Sequence, residues 1–210
     1  EFEEKDQNDK FRYPENPFSL LSNPHGGLLV NRLAKSTDLN DIEKLKSLVV
    51  RDSDLFDCEH IGHGAYSPIA GFMDKETLES VLNSNCLKDG LVWTMPIVLQ
   101  VKKESIRELG VDERVALKSS KGDIHVLLDT KEIYETDLEN VAKKWYGTTS
   151  MDHPGVVRLF SNGDRFVAGD IMLVKRLPSY YQHYELTPAQ TRNVFTQKGW
   201  NKVVGFHSRN

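Results

Sequence analysis

The sequence predicts an α+β protein: a mainly β domain with helices, built as a small barrel or rolled sheet, followed by the first helix and first strand of an α/β unit. Three observations carry this. From Leu28 to about Leu177, short apolar runs are punctuated by glycine-containing turns, the signature of a compact all-β body. Two segments inside that stretch carry helix start and stop signals instead. After Thr187 the order becomes helix and then strand, and the strand runs into His207-Ser208-Arg209-Asn210, the carboxyl-end position at which open α/β sheets place ligand sites.

Residues 1–23 read as an extension. Glu1-Phe-Glu-Glu-Lys-Asp6 is acidic where a secretory signal needs positive charge, and no apolar stretch appears before Pro17-Phe18. Asp74 is a candidate N-cap for a helix through Asn83 with Leu78, Val81 and Leu82 inward. Leu91 to Val101 alternates with period two, which places Trp93, Met95, Ile97, Leu99 and Val101 on one face of a strand, and Pro96 demands an edge or bulge. Strands are expected over Arg114 to Lys118 and Ile124 to Asp129 around the Lys121-Gly-Asp123 turn, and over Val156 to Phe160 and Arg165 to Ala168 around Asn162-Gly163. Thr136-Asp-Leu-Glu139 reads as a capping box for a helix with Leu138, Val141, Ala142 and Trp145 on one face, ended by Gly147.

The third helix starts at Thr187, with Pro188 in its first turn and Gln190 completing a capping box, and stops near Gly199. Lys202 to Phe206 then reads as a strand. Alone it has no neighbours for its backbone donors and acceptors, so it should dock on the β-rich domain, pair with another chain or lack order. The switch in element order sets a boundary near Pro178-Ser179, giving an extension over 1–23, a β-rich domain over 24–178 and the beginning of an α/β domain over 179–210.

Composition narrows the function classes. A charged fraction of 28% with a net charge of −4 describes a soluble globular chain with no drive toward polyanions. No apolar run approaches the roughly 18 residues of a membrane span. Cys58 and Cys86 cannot make a disulfide framework and read as two reduced thiols of a cytosolic protein. Cys58, Glu59, His60 and His63 lie close together, but no second ligand pair at a familiar spacing accompanies them, so no metal site is assigned. Gly62-His-Gly64 and Ser67-Pro-Ile-Ala-Gly71 lack the Gly-Lys-Ser/Thr of a phosphate-binding loop and read as close turns, as does His25-Gly-Gly27.

Six strings carry a family resemblance. Val203-Val-Gly-Phe-His-Ser-Arg-Asn210 resembles the Val-Val-Ala/Gly-Phe-Gln-Thr-Arg-Asn-Pro segment of ATP sulfurylases (sulfate adenylyltransferases). The others are Pro24-His-Gly-Gly27 with Leu29-Val-Asn-Arg-Leu33, Gly64-Ala-Tyr-Ser-Pro-Ile-Ala-Gly-Phe-Met73, Asp89-Gly-Leu-Val-Trp-Thr-Met-Pro-Ile97, His153-Pro-Gly155 and Thr187-Pro-Ala-Gln190, in the family's order. The resemblance implies a PUA-like β-barrel domain followed by an α/β nucleotidyltransferase domain, here incomplete. It also implies a homo-oligomer acting on ATP, brought as its Mg2+ complex, and on sulfate, with no nucleic acid or membrane partner.

The implied reaction is attack of a sulfate oxygen on the α-phosphorus of Mg-ATP, giving adenosine 5′-phosphosulfate and pyrophosphate. Sulfate is a weak nucleophile, so the site must hold two anions in line and offset developing charge with fixed donors. By resemblance Arg209 binds sulfate, as a forked and permanently charged donor. Asn210 matches the asparagine that contacts ATP phosphates, and Ser208 keeps the hydroxyl of the usual Thr. His207 replaces the usual Gln; it keeps a donor for sulfate and ATP and adds a titrating group. The His-x-x-His pair and later elements of the family site are absent, so the chain as it stands is expected to be inactive. The alternatives are an RNA-binding module, for which Lys102-Lys103 and Lys143-Lys144 are too interspersed with acids, and a structural or oligomerisation module.

Overall fold

The computed structural model describes residues 20–206. Its element order is β1 (Ser47–Val49), α1 (Asp52–Gly62), β2 (Gly71–Phe72), α2 (Lys75–Ser84), β3 (Leu99–Val101), β4 (Arg114–Lys118), β5 (Ile124–Tyr134), α3 (Leu138–Tyr146), α4 (Pro154–Ser161), β6 (Arg165–Leu173) and α5 (Pro188–Gln197), with short 3-10 turns between. The strands form one mixed sheet in the order β1-β4-β5-β6-β2, with β3 also on β6. β1 runs parallel to β4 and the remaining ladders are antiparallel. Among the described residues no ladder joins β1 to β2 or β3, so the pairings run from β1 at one end of a six-stranded sheet to β2 and β3 at the other.

β6 is the organising strand. One edge pairs along its length with β5, and the other takes β3 at Arg165 to Val167 and β2 at Gly169 and Asp170. That second pairing requires glycine: a Cβ on Gly71 would sit 1.9 Å from the Gly169 carbonyl oxygen. The main core lies where α1 covers the sheet, with Leu55, Cys58 and Ile61 packed among Val115, Leu117, Val126, Leu128, Val167 and Ile171. A second cluster joins α3 to α4 through Val141, Ala142, Val156 and Leu159.

Several expectations match. α2 has Asp74 as its cap, accepting from Thr77 N–H at 2.8 Å, and β4 turns into β5 at Gly122. The rest need correction. Residues 156–160 are not a strand but α4, because Pro154 presets the first turn and His153 Nδ1 accepts the Gly155 N–H at 3.1 Å. Val156 and Leu159 then share a helical face, and Asn162-Gly163 is a helix exit instead of a hairpin turn. Residues 91–98 form no strand: Val92 makes only an isolated bridge to Cys86, Leu99–Val101 pairs with β6, and Met95 is exposed.

The cap of α3 is Asp137, one residue later than expected, accepting from Glu139 and Asn140 N–H. Helix α1 had no clear apolar stripe because two of its buried positions are carboxylates. Asp54 is held by Arg51 through two hydrogen bonds of 2.9 and 2.6 Å, Glu59 is held by Arg176, and Phe56 faces outward. Residues 202–206 form no strand, and Val204 and Phe206 are more than nine-tenths exposed, so this segment has not docked on the sheet.

Candidate functional site

The polar cluster His207, Ser208, Arg209 and Asn210, which carried the catalytic, sulfate-binding and ATP-binding expectations, lies outside the described residues. Its approach is described. Helix α5 opens with the expected reciprocal cap, in which Thr187 Oγ1 accepts from Gln190 N–H at 3.3 Å and Gln190 Oε1 accepts from Thr187 N–H at 2.8 Å. No residue of α5 is buried. Its Arg192 guanidinium donates to the carbonyl of Ser22, two residues before the β-rich domain, at 2.6 Å.

Upstream, the chain enters this region through an ion-paired latch. Arg176 donates to the buried carboxylate of Glu59 and, on its other side, to Glu185 at 2.7 Å, while the Leu177 N–H donates to Glu59 Oε2 at 3.2 Å. Glu59 therefore fixes both the side chain and the backbone of the segment leaving the sheet. It accepts charge-assisted bonds in a largely water-excluded position, which strengthens them.

Beside the latch lies a row of rings that linear reading did not assemble. His60 stacks on Tyr66 with centroids 5.1 Å apart, Tyr66 meets Trp93 at 6.3 Å, and Trp93 lies 6.3 Å from His25. His25 Nε2 is tied to the Val92 carbonyl at 2.7 Å. Tyr66, Val92, Trp93, Thr94 and Met95 line an open groove of about 310 Å³. Three of the strings, those holding His25, Tyr66 and Trp93, thus meet in one place. Ser67 Oγ ties the first two together, accepting from Val30 N–H at 2.9 Å and donating to the Gly64 carbonyl at 2.6 Å. Gly64 takes positive φ there, and a Cβ on it would lie 2.3 Å from the Val30 oxygen. His153-Pro-Gly155 sits apart, capping α4 against Tyr146.

The titratable groups of this region are perturbed by burial. Burial holds the His63 imidazole below its ordinary value, with the neighbouring His60 adding to the effect, and its buried Nδ1 has no partner among the described residues. Burial also raises the Asp57 carboxyl, although Tyr66 Oη donates to it at 3.3 Å and works the other way. His60 Nδ1 lies 2.7 Å from the Phe56 carbonyl and donates there. The described residues contain no group of three or more His, Cys, Asp or Glu able to hold a metal ion. No described helix is long and apolar enough to cross a membrane. The region offers aromatic faces and a few hydrogen-bond acceptors.

The PUA-like domain family matches residues 22–176. The sulfate adenylyltransferase of Persephonella marina is 38% identical over 197 residues, covering 90% of this chain and 51% of the relative. That of Synechococcus sp. is 35% identical over 192 residues, covering 89% and 49%, and that of Pyrococcus abyssi is 35% identical over 195 residues, covering 91% and 50%. The chain therefore spans about half the length of the curated relatives it matches. Among solved structures, the hexameric APS kinase from Thiobacillus denitrificans superposes with a TM-score of 0.67 at 24% identity, covering 87% of this chain and 33% of that one, which shows a shared fold. The chain belongs to the PUA-like domain family, and it is a homologue of the N-terminal half of sulfate adenylyltransferases.

Proposed function

We propose that this chain is the N-terminal half of a sulfate adenylyltransferase that transfers the adenylyl group of Mg-ATP to sulfate, giving adenosine 5′-phosphosulfate and pyrophosphate. The observation that carries the reading is colinear similarity to enzymes of that name over about nine-tenths of the chain. In this reading residues 24–178 are the PUA-like domain and residues 179–210 begin the catalytic domain. The division is supported by α5, which buries no residue, whereas α1, α2, α3 and α4 all do. The rolled, barrel-like form of the sheet belongs to the same proposal, supported by β6 serving three other strands.

Catalysis would rest on position and charge. Arg209 holds sulfate, Asn210 and Ser208 hold ATP oxygens, and His207 donates to both anions. The metal enters as part of the Mg-ATP substrate. Residues 24–178 then support and assemble the enzyme, and the chain 1–210 alone lacks the groups needed for turnover. A homo-oligomer is part of this proposal, supported by the hexameric assembly named for the Thiobacillus denitrificans protein. An RNA-binding role finds little support: Lys46, Lys88, Arg114, Lys131 and Arg165 each pair with a carboxylate, leaving no basic stripe among them.

The test is product formation by the full-length protein with Mg-ATP and sulfate, followed by mass spectrometry. Adenosine 5′-phosphosulfate and pyrophosphate should appear in equal amounts. Hydrolysis of ATP without the mixed anhydride would overturn the reading.

A further inference from the structure

We propose that the row His25, Trp93, Tyr66 and His60, with the groove beside it, is the face on which the second half of the full-length enzyme docks. This rests on the reading above, since the occupant is the half that the relatives carry and this chain does not span. Two independent observations lead to it.

The first is the composition of the face. Val92 is 60% and Met95 43% exposed, Tyr66 and Trp93 are half-buried, and together they line the groove. Aromatic rings and methionine in a patch rimmed by His25, His60 and Asp57 match the centre and rim of a protein interface.

The second is its position, which selects the occupant. The segment that leads away from the sheet is pinned at both ends of the row. At one end Arg176 and the Leu177 N–H are held by Glu59, the residue before His60. At the other, Arg192 of α5 is held by the Ser22 carbonyl, three residues before His25. Between these anchors Tyr180, Tyr181, Tyr184 and Leu186 are all more than half exposed. Whatever follows α5 therefore starts from a helix anchored at one end of the row. An intramolecular partner delivered in this way needs little intrinsic affinity, because its effective concentration is high. Its surface should lay apolar side chains against Trp93 and Met95.

The experiment places a thiol on the face with Met95→Cys and follows maleimide labelling of that peptide by mass spectrometry. Cys58 is fully buried, and Cys86 is read on its own peptide. Carbethoxylation of His25 and His60 in the unaltered protein gives the same information should the variant fold poorly. The chain 1–210 should label readily, and the full-length protein at least about tenfold more slowly, as expected for sites exposed only by local opening.

Equal rates in the two proteins would overturn the proposal. So would protection in the chain 1–210 that grows with its concentration, which indicates a second copy. An increase on deleting residues 1–19 would also overturn it, since those residues would then be the cover. Adenylyl transfer measured on the same full-length preparation separates this from the functional reading. Activity with an unprotected face sinks only the docking site, and protection without activity sinks only the assigned reaction.

Discussion

Removing the Glu59 carboxylate tests whether the latch between α1 and the segment after β6 holds the structure together. Glu59 is 9% exposed as a side chain and accepts from two groups, Arg176 and the Leu177 N–H, whereas the Arg176 side chain is 26% exposed and keeps Glu185 as a second partner. A hydrogen bond to a charged group contributes about 1.5–3 kcal/mol, and losing both bonds would give the upper end of that range or more. Water and Glu185 recover part of the Arg176 interaction, so Glu59→Ala should cost about 2 kcal/mol and Glu59→Gln, which retains an acceptor for Leu177 N–H, about 1 kcal/mol. For a domain of this size the larger loss corresponds to a fall in Tm of about 4–8 °C.

The pair itself is isolated by a double-mutant cycle with Arg176→Met, followed by urea unfolding and by proteolysis between Ser179 and Leu186. The coupling energy should be about 1–2 kcal/mol, with cleavage faster in each single variant. A coupling below about 0.3 kcal/mol with unchanged cleavage would refute the argument that Glu59 anchors the exit of the chain.

Further expectations follow from other parts of the fold. Gly71→Ala should abolish soluble expression or shift Tm far down, since its Cβ meets the Gly169 carbonyl at 1.9 Å; a normal melting curve would contradict the β2–β6 register. Val157→Pro should cost about 3 kcal/mol, as a helix interior demands, and a near-neutral result would return residues 156–160 to another conformation. The His63 imidazole is held below its ordinary value, so its neutral form stabilises the fold above the unfolded value near 6.5, and that contribution is lost as pH falls through the lower folded value. His63→Leu should flatten stability over that acid window in urea titrations; an unchanged profile would contradict the burial argument. The Asp57 carboxyl is raised, so the fold favours its protonated form and loses that contribution as pH climbs from the unfolded value through the folded one. Asp57→Asn should therefore raise stability at pH 7 and leave it unchanged well below the carboxylate range.

The sequence made most of the capped helices legible, because their signals are local. Asp74, Thr187 and Gly147 act within one turn of the residues they specify. Helix α1 was hidden because Asp54 and Glu59 occupy buried positions, and the cations that make this tolerable come from Arg51 and from Arg176, 117 residues away. Helix α4 was hidden by Asn162-Gly163, a turn signal that serves a helix exit as well as a hairpin. Period-two alternation through residues 91–101 predicted one long strand, but β6, which also pairs with β2, takes only three residues of it, and Val92 to Met95 line the groove instead. The aromatic row was out of reach for a similar reason, since its rings come from positions 25, 60, 66 and 93 and only the folded chain joins them.

The proposed function is tested most directly by measuring pyrophosphate release from Mg-ATP in the presence and absence of sulfate, in the chain 1–210, the full-length protein and its Arg209→Ala variant. The account predicts sulfate-dependent release only from the unaltered full-length protein, with Arg209→Ala slower by about 10²-fold or more, the loss typical of removing one fixed donor at a developing charge. Sulfate-dependent release from the chain 1–210 at the full-length rate, or an Arg209→Ala variant as active as the parent, would contradict it.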